Sequence, residues 1–143
     1  MMQPILIDTN VFMRLFDLSD EDQTAKARNL FKKAASGSIA LVVAPPVLFE
    51  LAWVLRSALK RTNEEVLDIL EAITAWQGLK VLDYDCVQTA ISLARNKRQS
   101  FADAYICVTA QKHDYKIATF NTQHIEKFGL ALYSDAIINK ITL

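Results

Sequence analysis

Three acidic residues stand alone in otherwise apolar segments. Asp8 ends the first apolar run, Glu50 is the only polar side chain in Val47–Leu55, and Asp103 is the only charged one in Phe101–Val108. Carboxylates at the ends of parallel strands, or at the starts of helices beside them, lie at the sheet edge where ligands bind. We therefore expect the three carboxylates to lie together.

Gathering three carboxylates carries an energetic cost. Two unit charges about 4 Å apart repel by about 4 kcal/mol at an effective dielectric of about 20, whereas a whole domain is stable by only roughly 5–15 kcal/mol. Protonation of one carboxyl group would lower the repulsion, but no neighbouring residue selects which one. A divalent cation with oxygen ligands neutralises the cluster, so we expect Mg²⁺ or Mn²⁺ and phosphoryl chemistry. Glu50 or Asp8 is available to orient an attacking water.

Each carboxylate also has a purely structural interpretation. Asp8 or a neighbour could cap the following helix. The apolar neighbours of Glu50 lead us to expect its side chain in the interior, but Glu50 could instead lie on a narrow exposed stripe of its helix. Asp103 could complete a capping box that begins at Ser100. An acidic site is absent only if all three structural interpretations are correct.

A basic turn precedes the third carboxylate. Its cations are Arg95, Lys97 and Arg98, and Arg14 follows the first carboxylate. Such side chains bind the phosphate backbone of nucleic acids in a salt-dependent manner. The formal net charge is zero, so contact with nucleic acid must come from local groups and not from a global positive field. An ordinary solvated loop is the alternative.

Short apolar runs alternate with amphipathic segments along the chain. Strands are predicted at residues 5–7, 39–44, 80–82, 116–119 and 131–133. Helices are predicted at residues 19–36, 46–60, 62–77, 85–96, 100–113, 122–128 and 134–141. Capping boxes that begin at Ser19 and Thr62 mark the starts of two of these helices.

This alternation predicts an α/β fold with a mostly parallel sheet of four to five strands. The first strand is expected to be central and buried on both faces, because its apolar residues are consecutive. With 143 residues, 52% of them hydrophobic, the chain is expected to form one domain over residues 1–143.

Composition also indicates the cellular compartment of the protein. Cys86 and Cys107 lack the spacing of a zinc site or a disulfide framework and are expected in the core. No apolar run reaches the roughly 18 residues that a membrane span needs. We expect a soluble, cytoplasmic protein.

In order, these motifs resemble those of PIN-domain ribonucleases, and within that family most closely the VapC-type toxins. The resemblance rests on Asp8-Thr9-Asn10, Phe49–Leu55, Phe101–Ala104 and Ala118–Asn121, and it covers nearly the whole chain. It implies a three-layer α/β/α sandwich and Mg²⁺- or Mn²⁺-dependent cleavage of RNA. It also implies a homodimer and a small VapB-like antitoxin protein as partner.

By that resemblance, Asp8, Glu50 and Asp103 match the catalytic, metal-binding acidic residues of the family. Asn10 and Thr119 match polar positions beside them.

One position departs from the family pattern. Many members carry a fourth Asp where this chain has Asn121. Its amide adds no charge, so we expect one tightly held cation and a second that binds only with substrate phosphate. The alternative is that Asn121 caps or initiates the turn before Thr122.

Other classes of protein also place acids at strand ends. A phosphoacceptor regulatory domain needs an acidic pair after the first strand and an acceptor Asp after the third, and neither Asp8-Thr9-Asn10 nor Val81-Leu82-Asp83 fits. A phosphatase of the Asp-x-Asp type needs Asp in place of Asn10. A catalytically weak PIN-like module that binds RNA or protein stays open, because the fourth acid is missing.

The early helices carry more apolar residues than one face of a sheet can cover, including Leu30, Phe31, Leu55 and Leu59. We therefore expect the homodimer to bury part of them.

We expect structural roles for the histidine and tryptophan side chains. His113 and His124 have no ligand-spaced partner and are not expected to act in catalysis. Trp53 and Trp76 fall at helical spacing and are expected in the core or the dimer interface.

Overall fold

The structure, a computed structural model, describes residues 3–129, which form three short strands and seven helices. The strands are β1 (Ile5–Leu6), β2 (Leu41–Val43) and β3 (Leu79–Val81). The helices are α1 (Thr9–Met13), α2 (Glu21–Ala35), α3 (Pro45–Ser57), α4 (Asn63–Thr74), α5 (Tyr84–Lys97), α6 (Phe101–His113) and α7 (Thr122–Glu126).

The strands form a parallel sheet in which β2 lies between β1 and β3. Helices α1 and α2 connect β1 to β2, and α3 and α4 connect β2 to β3. Parallel neighbours require crossover connections of this kind. The expected α/β class with a parallel sheet is therefore confirmed.

β1 lies at an edge of the described sheet, so the prediction of a central strand buried on both faces is wrong for this part of the chain. Ile5 is 42% exposed and Leu6 is 65% exposed, whereas Ile7, directly after the strand, is buried. Within residues 3–129 the strand pairs with β2 alone. Consecutive apolar residues do not by themselves show how many neighbours a strand has.

Four to five strands are not confirmed. The strand predicted at residues 116–119 is reduced to one bridge residue, Ile117. Three residues before this bridge, the C-cap residue Asp114 of α6 adopts the left-handed conformation. After the bridge, Thr119 Oγ1 accepts a hydrogen bond of 2.9 Å from the Asn121 N–H. A turn therefore lies on each side of the Ile117 bridge. The elements predicted at 131–133 and 134–141 lie outside the described residues.

Helix starts follow the local capping signals closely. Thr62 and Glu65 form both hydrogen bonds of the predicted capping box, each 3.1 Å long. The start of α2 was predicted one residue early, because Asp20 and not Ser19 is the cap. Its Oδ1 accepts a hydrogen bond of 2.9 Å from the Gln23 N–H.

Gly78 lies in the turn that connects α4 to β3. Its φ of +87° lies in the left-handed region, and a Cβ atom there would collide with the backbone carbonyl of Ala34 at the end of α2. The Gly78 carbonyl also accepts a hydrogen bond of 3.0 Å from the Leu41 N–H of β2. Only glycine satisfies both the φ angle and the close approach.

The packing of the early helices removes part of the reason for expecting a dimer. Phe31 is buried between Phe12 and Trp76, with ring centroids 5.3 and 6.1 Å away. Leu55 is also fully buried, so Phe31 and Leu55 do not contribute to an exposed apolar face. Trp53, which was expected in the core or the interface, is 69% exposed.

The chain divides into two compact units, Met1–Tyr84 and Asp85–Leu143. The sheet belongs to the first unit, and α6 and α7 belong to the second. The single domain and the three-layer sandwich stay predictions. Among the described residues, no helix has both the length and the apolar character required to cross a membrane.

Candidate functional site

Asp8 lies between β1 and α1, two residues after the end of the edge strand. It is the N-cap residue, and its Oδ1 accepts a hydrogen bond of 2.7 Å from the Thr9 N–H. The structural interpretation of this carboxylate, that it caps the following helix, is therefore correct. Capping uses one carboxylate oxygen, so Oδ2 keeps its capacity to bind a cation. Both Asp8 and Asn10 are exposed.

Glu50 lies on the exposed side of α3, so the expectation that its apolar neighbours force it inside is wrong. The helix buries Leu48, Leu51 and Leu55, which recur at the three- and four-residue spacing of one helical face. Glu50 and Trp53 fall on the opposite side and are exposed. Because α3 packs against α1, Glu50 and the capped carboxylate of α1 belong to neighbouring helices of the first unit.

Asp103 lies in the first turn of α6 in the second unit. Its N–H donates a hydrogen bond of 3.1 Å to Ser100 Oγ, as the predicted cap requires. The side chain is 26% exposed, and its Oδ2 lies 3.8 Å from Nδ1 of His124 on α7. The cap orients the start of the helix and leaves the carboxylate directed toward another polar group.

A second polar contact joins the same histidine to Asn121. The Asn121 Nδ2 lies 3.0 Å from His124 Nδ1. Asn121 occupies the N-cap position of α7, but its side chain makes no capping hydrogen bond. The capping interpretation of this residue is therefore wrong for its side chain, which contacts the imidazole. We call Asp103, Thr119, Asn121 and His124 the α6–α7 cluster.

His124 is the member of this cluster that the sequence analysis missed. Its partners lie three and twenty-one positions upstream, so no metal-ligand spacing marks it. The signal available in the sequence was its i, i+3 relation to Asn121 across one turn of α7. When Nδ1 accepts a hydrogen bond from the Asn121 amide, the neutral imidazole carries its proton on Nε2.

The expected cluster of three carboxylates is not confirmed, although carboxylate oxygens are suitable ligands for a hard divalent cation. Within residues 3–129, no group of three or more His, Cys, Asp or Glu side chains is placed to hold a metal ion. Asp8 and Glu50 belong to the first unit and Asp103 to the second. All three are at least partly open to solvent, and carboxylate oxygens are the ligands that Mg²⁺ and Mn²⁺ favour.

The basic turn before α6 is held by one buried side chain. Gln99 is 7% exposed. Its backbone N–H donates a hydrogen bond of 3.0 Å to the Ala94 carbonyl, and its side-chain Nε2 donates one of 3.2 Å to the Lys97 carbonyl. Arg98 adopts a left-handed φ of 54°. Lys97 and Arg98 are exposed, whereas Arg95 is half-buried. The turn is thus a defined structure that presents two cations to solvent.

Arg14 ends α1 in the first unit, where Nη1 lies 3.8 Å from Asp17 Oδ2. Hydrogen bonds from Ser19, with a smaller contribution from the Arg14 charge, lower the pKa of Asp17 below its usual value. The pair is partly exposed, and such pairs contribute little to stability. The guanidinium group therefore stays available to a stronger anion.

The two cysteines differ in burial. Cys107 on α6 is fully buried, as expected, and burial, together with the nearby Asp103 carboxylate, raises the pKa of its thiol to about 11. Cys86 is half-buried, with its Sγ 3.8 Å from Lys112 Nζ. The cysteine spacing predicted neither a disulfide nor a zinc site, and both thiols are free.

Comparison with known proteins identifies one family. The family model described as PIN domain matches residues 5–129. A search of curated protein sequences finds no significant match. Among solved structures, FitAcB from Neisseria gonorrhoeae is 18% identical over 92% of this chain and 97% of that chain, with a TM-score of 0.34.

Proposed function

The chain belongs to the PIN-domain family, whose members are generally nucleases, and we propose that it is a Mg²⁺- or Mn²⁺-dependent endoribonuclease. The observation that carries the proposal is the extent of the family match. The matched residues 5–129 contain all three isolated carboxylates, Asp8, Glu50 and Asp103.

In this proposal, the three carboxylates hold the cation and Asn10, Thr119 and Asn121 assist. When bound, the cation would lower the pKa of a coordinated water and stabilise negative charge on the phosphate. Asp8 retains its cap while offering Oδ2, because capping engages only Oδ1. The exposed Glu50 is free of the core and can accept a proton from the attacking water.

The substrate in this proposal is RNA, held by phosphate contacts with Arg14, Arg95, Lys97 and Arg98. The exposure of Lys97 and Arg98 on a turn pinned by Gln99 supports this assignment. Cations positioned on a rigid turn lose little freedom when a phosphate binds. Their effect on affinity should weaken as salt rises.

The toxin role rests on the motif resemblance to VapC-type proteins. It includes a small VapB-like antitoxin that neutralises the enzyme, a cytoplasmic location and a homodimer. Of the apolar residues expected in the core or at a dimer interface, Leu59 is half-buried and Trp53 is exposed, so both stay available to that interface.

The test is expression of the chain alone, followed by mapping of new RNA ends. We expect growth arrest and discrete RNA ends, and neither should occur with Asp8→Asn, which preserves the cap because Asn caps as well as Asp. A purified wild-type protein that binds RNA but generates no ends in Mg²⁺ or Mn²⁺ would instead be the catalytically weak binding module.

A further inference from the structure

A groove lies between α1 and α2 within the first compact unit. Its volume is about 570 Å³, which is in the range of about 300–1,000 Å³ typical of ligand sites. Val11, Ala27 and Leu30 provide its apolar part. We call it the α1–α2 groove.

Four polar side chains complete the lining. Asn10 and Arg14 come from α1 and its end, and Gln23 and Lys26 come from α2. The groove therefore carries one cation and one amide on each side. It begins at Asn10, two residues after Asp8 along the chain.

We propose that the α1–α2 groove binds a single-stranded segment of the RNA substrate next to the cleaved phosphate. This inference rests on the proposed function, because it assigns the groove to the substrate of the same site. Single-stranded nucleic acid needs cations for its phosphates and apolar surface for its bases. Its unpaired base edges are open to amide side chains such as those of Asn10 and Gln23.

The mixed lining favours RNA over an apolar protein segment. A protein helix that covered Val11 and Leu30 would also desolvate two cations and two amides, and each would need a partner of its own. Phosphates and base edges supply those partners within one ligand. The groove is thus complementary in charge to RNA although the whole chain has zero net charge.

Both cations of the groove have a competing carboxylate, and for Arg14 it is Asp17. Lys26 Nζ lies 3.0 Å from Asp22 Oδ2, and both side chains are about three-quarters exposed. The hydrogen bond and charge of Asp22 raise the pKa of Lys26 above its usual value. A phosphate must share Lys26 with Asp22, so removal of the Asp22 charge should strengthen RNA binding.

The experiment measures binding of a fluorescent single-stranded RNA of about ten nucleotides by anisotropy, with chelator present to prevent cleavage. Lys26→Ala should weaken binding about fivefold at about 0.1 M salt and reduce the salt slope by about 0.7, the value for one phosphate contact to a single strand. Lys32→Ala is the matched control, because Lys32 lies on the same helix but lines a different, apolar cavity.

Two further variants test the same groove independently. Asp22→Asn should tighten binding, whereas Glu21→Gln, with the same charge change in the same turn, should do so less. Gln23→Ala should alter the preference among oligoadenylate, oligouridylate and oligocytidylate probes without changing the salt slope. The tighter binding expected of Asp22→Asn is opposite in sign to the general loss expected from misfolding.

Equal effects of Lys26→Ala and Lys32→Ala would overturn the proposal, since they would indicate general electrostatics. Unchanged RNA affinity accompanied by altered self-association of Lys26→Ala would also overturn it and make the groove an interface between copies. The failure of the two proposals is distinguishable. If wild type cleaves RNA but Lys26→Ala has no specific effect on binding, only the groove proposal is contradicted. If binding depends on the groove but no cleavage occurs, only the nuclease proposal is contradicted.

Discussion

Nδ1 of His124 lies 3.8 Å from Oδ2 of Asp103, so the carboxylate expected to bind metal in the second unit has an imidazole neighbour. The same nitrogen lies 3.0 Å from the amide of Asn121. In the proposed nuclease, a side chain at this position would orient the Asp103 carboxylate or add a nitrogen donor beside it. Either role would connect α7 to the proposed metal site.

His124→Ala should weaken Mn²⁺ binding by about 10- to 100-fold, the range observed when a residue that orients a metal ligand is removed. His113→Ala is the matched control, because His113 stacks on Tyr115 with ring centroids 5.2 Å apart. Calorimetric titration with Mn²⁺ measures both variants. Equal Mn²⁺ affinity in wild type and His124→Ala would show that the histidine does not serve the metal.

Asn121→Asp should tighten binding of divalent cations and lower the Mg²⁺ concentration needed for half-maximal cleavage. The reason is that the Asn121 side chain contacts His124 and makes no capping hydrogen bond, so a carboxylate there adds negative charge to the α6–α7 cluster. Titration with Mn²⁺ and an activity curve against Mg²⁺ provide the measurement. Curves identical to wild type would place residue 121 outside the metal site.

How much the sequence predicted depends on how local each feature is. The caps at Thr62 and Ser100 were predicted correctly, since a cap is decided by residues within one turn. The exposure of Glu50 was not, because it depends on which face of α3 packs against its neighbours. The position of His124 depends on a contact between two helices, which no local spacing encodes.

Arg98→Gly should weaken RNA binding without loss of stability. Arg98 and Lys60 both adopt left-handed φ angles, of 54° and 56°. Glycine relieves roughly 1–2 kcal/mol of left-handed strain and adds roughly 0.5–1 kcal/mol of chain entropy to the unfolded state, so the melting temperature should hold or rise.

Lys60→Gly is the control for that variant, since it makes the same backbone change and removes the same charge. Thermal melting and RNA anisotropy across a salt series are the measurements. A similar loss of RNA affinity in both glycine variants would remove Arg98 from the binding surface.

Cys107 should resist alkylation in the native protein, whereas Cys86 should react. Burial and a thiol pKa of about 11 leave Cys107 almost entirely protonated at pH 8, and only the thiolate is a strong nucleophile. Mass spectrometry after a short iodoacetamide pulse measures each site, and urea-unfolded protein supplies the reference. Rapid native labelling of Cys107 would mean that this face of α6 is open to solvent.

The central claim is that Asp8, Glu50 and Asp103 exist for metal-dependent RNA cleavage. The most direct measurement is the Mn²⁺-dependent cleavage rate of a labelled single-stranded RNA by Asp8→Asn, Glu50→Gln and Asp103→Asn, each normalised to folded protein by thermal melting. Glu21→Gln, an exposed carboxylate on α2, is the control. Each of the three variants should lose about 100-fold or more in rate with little change in melting temperature, and the control should lose no activity. Variants that melt well below wild type and cleave at the wild-type rate per folded molecule would show that the carboxylates are structural and contradict this account.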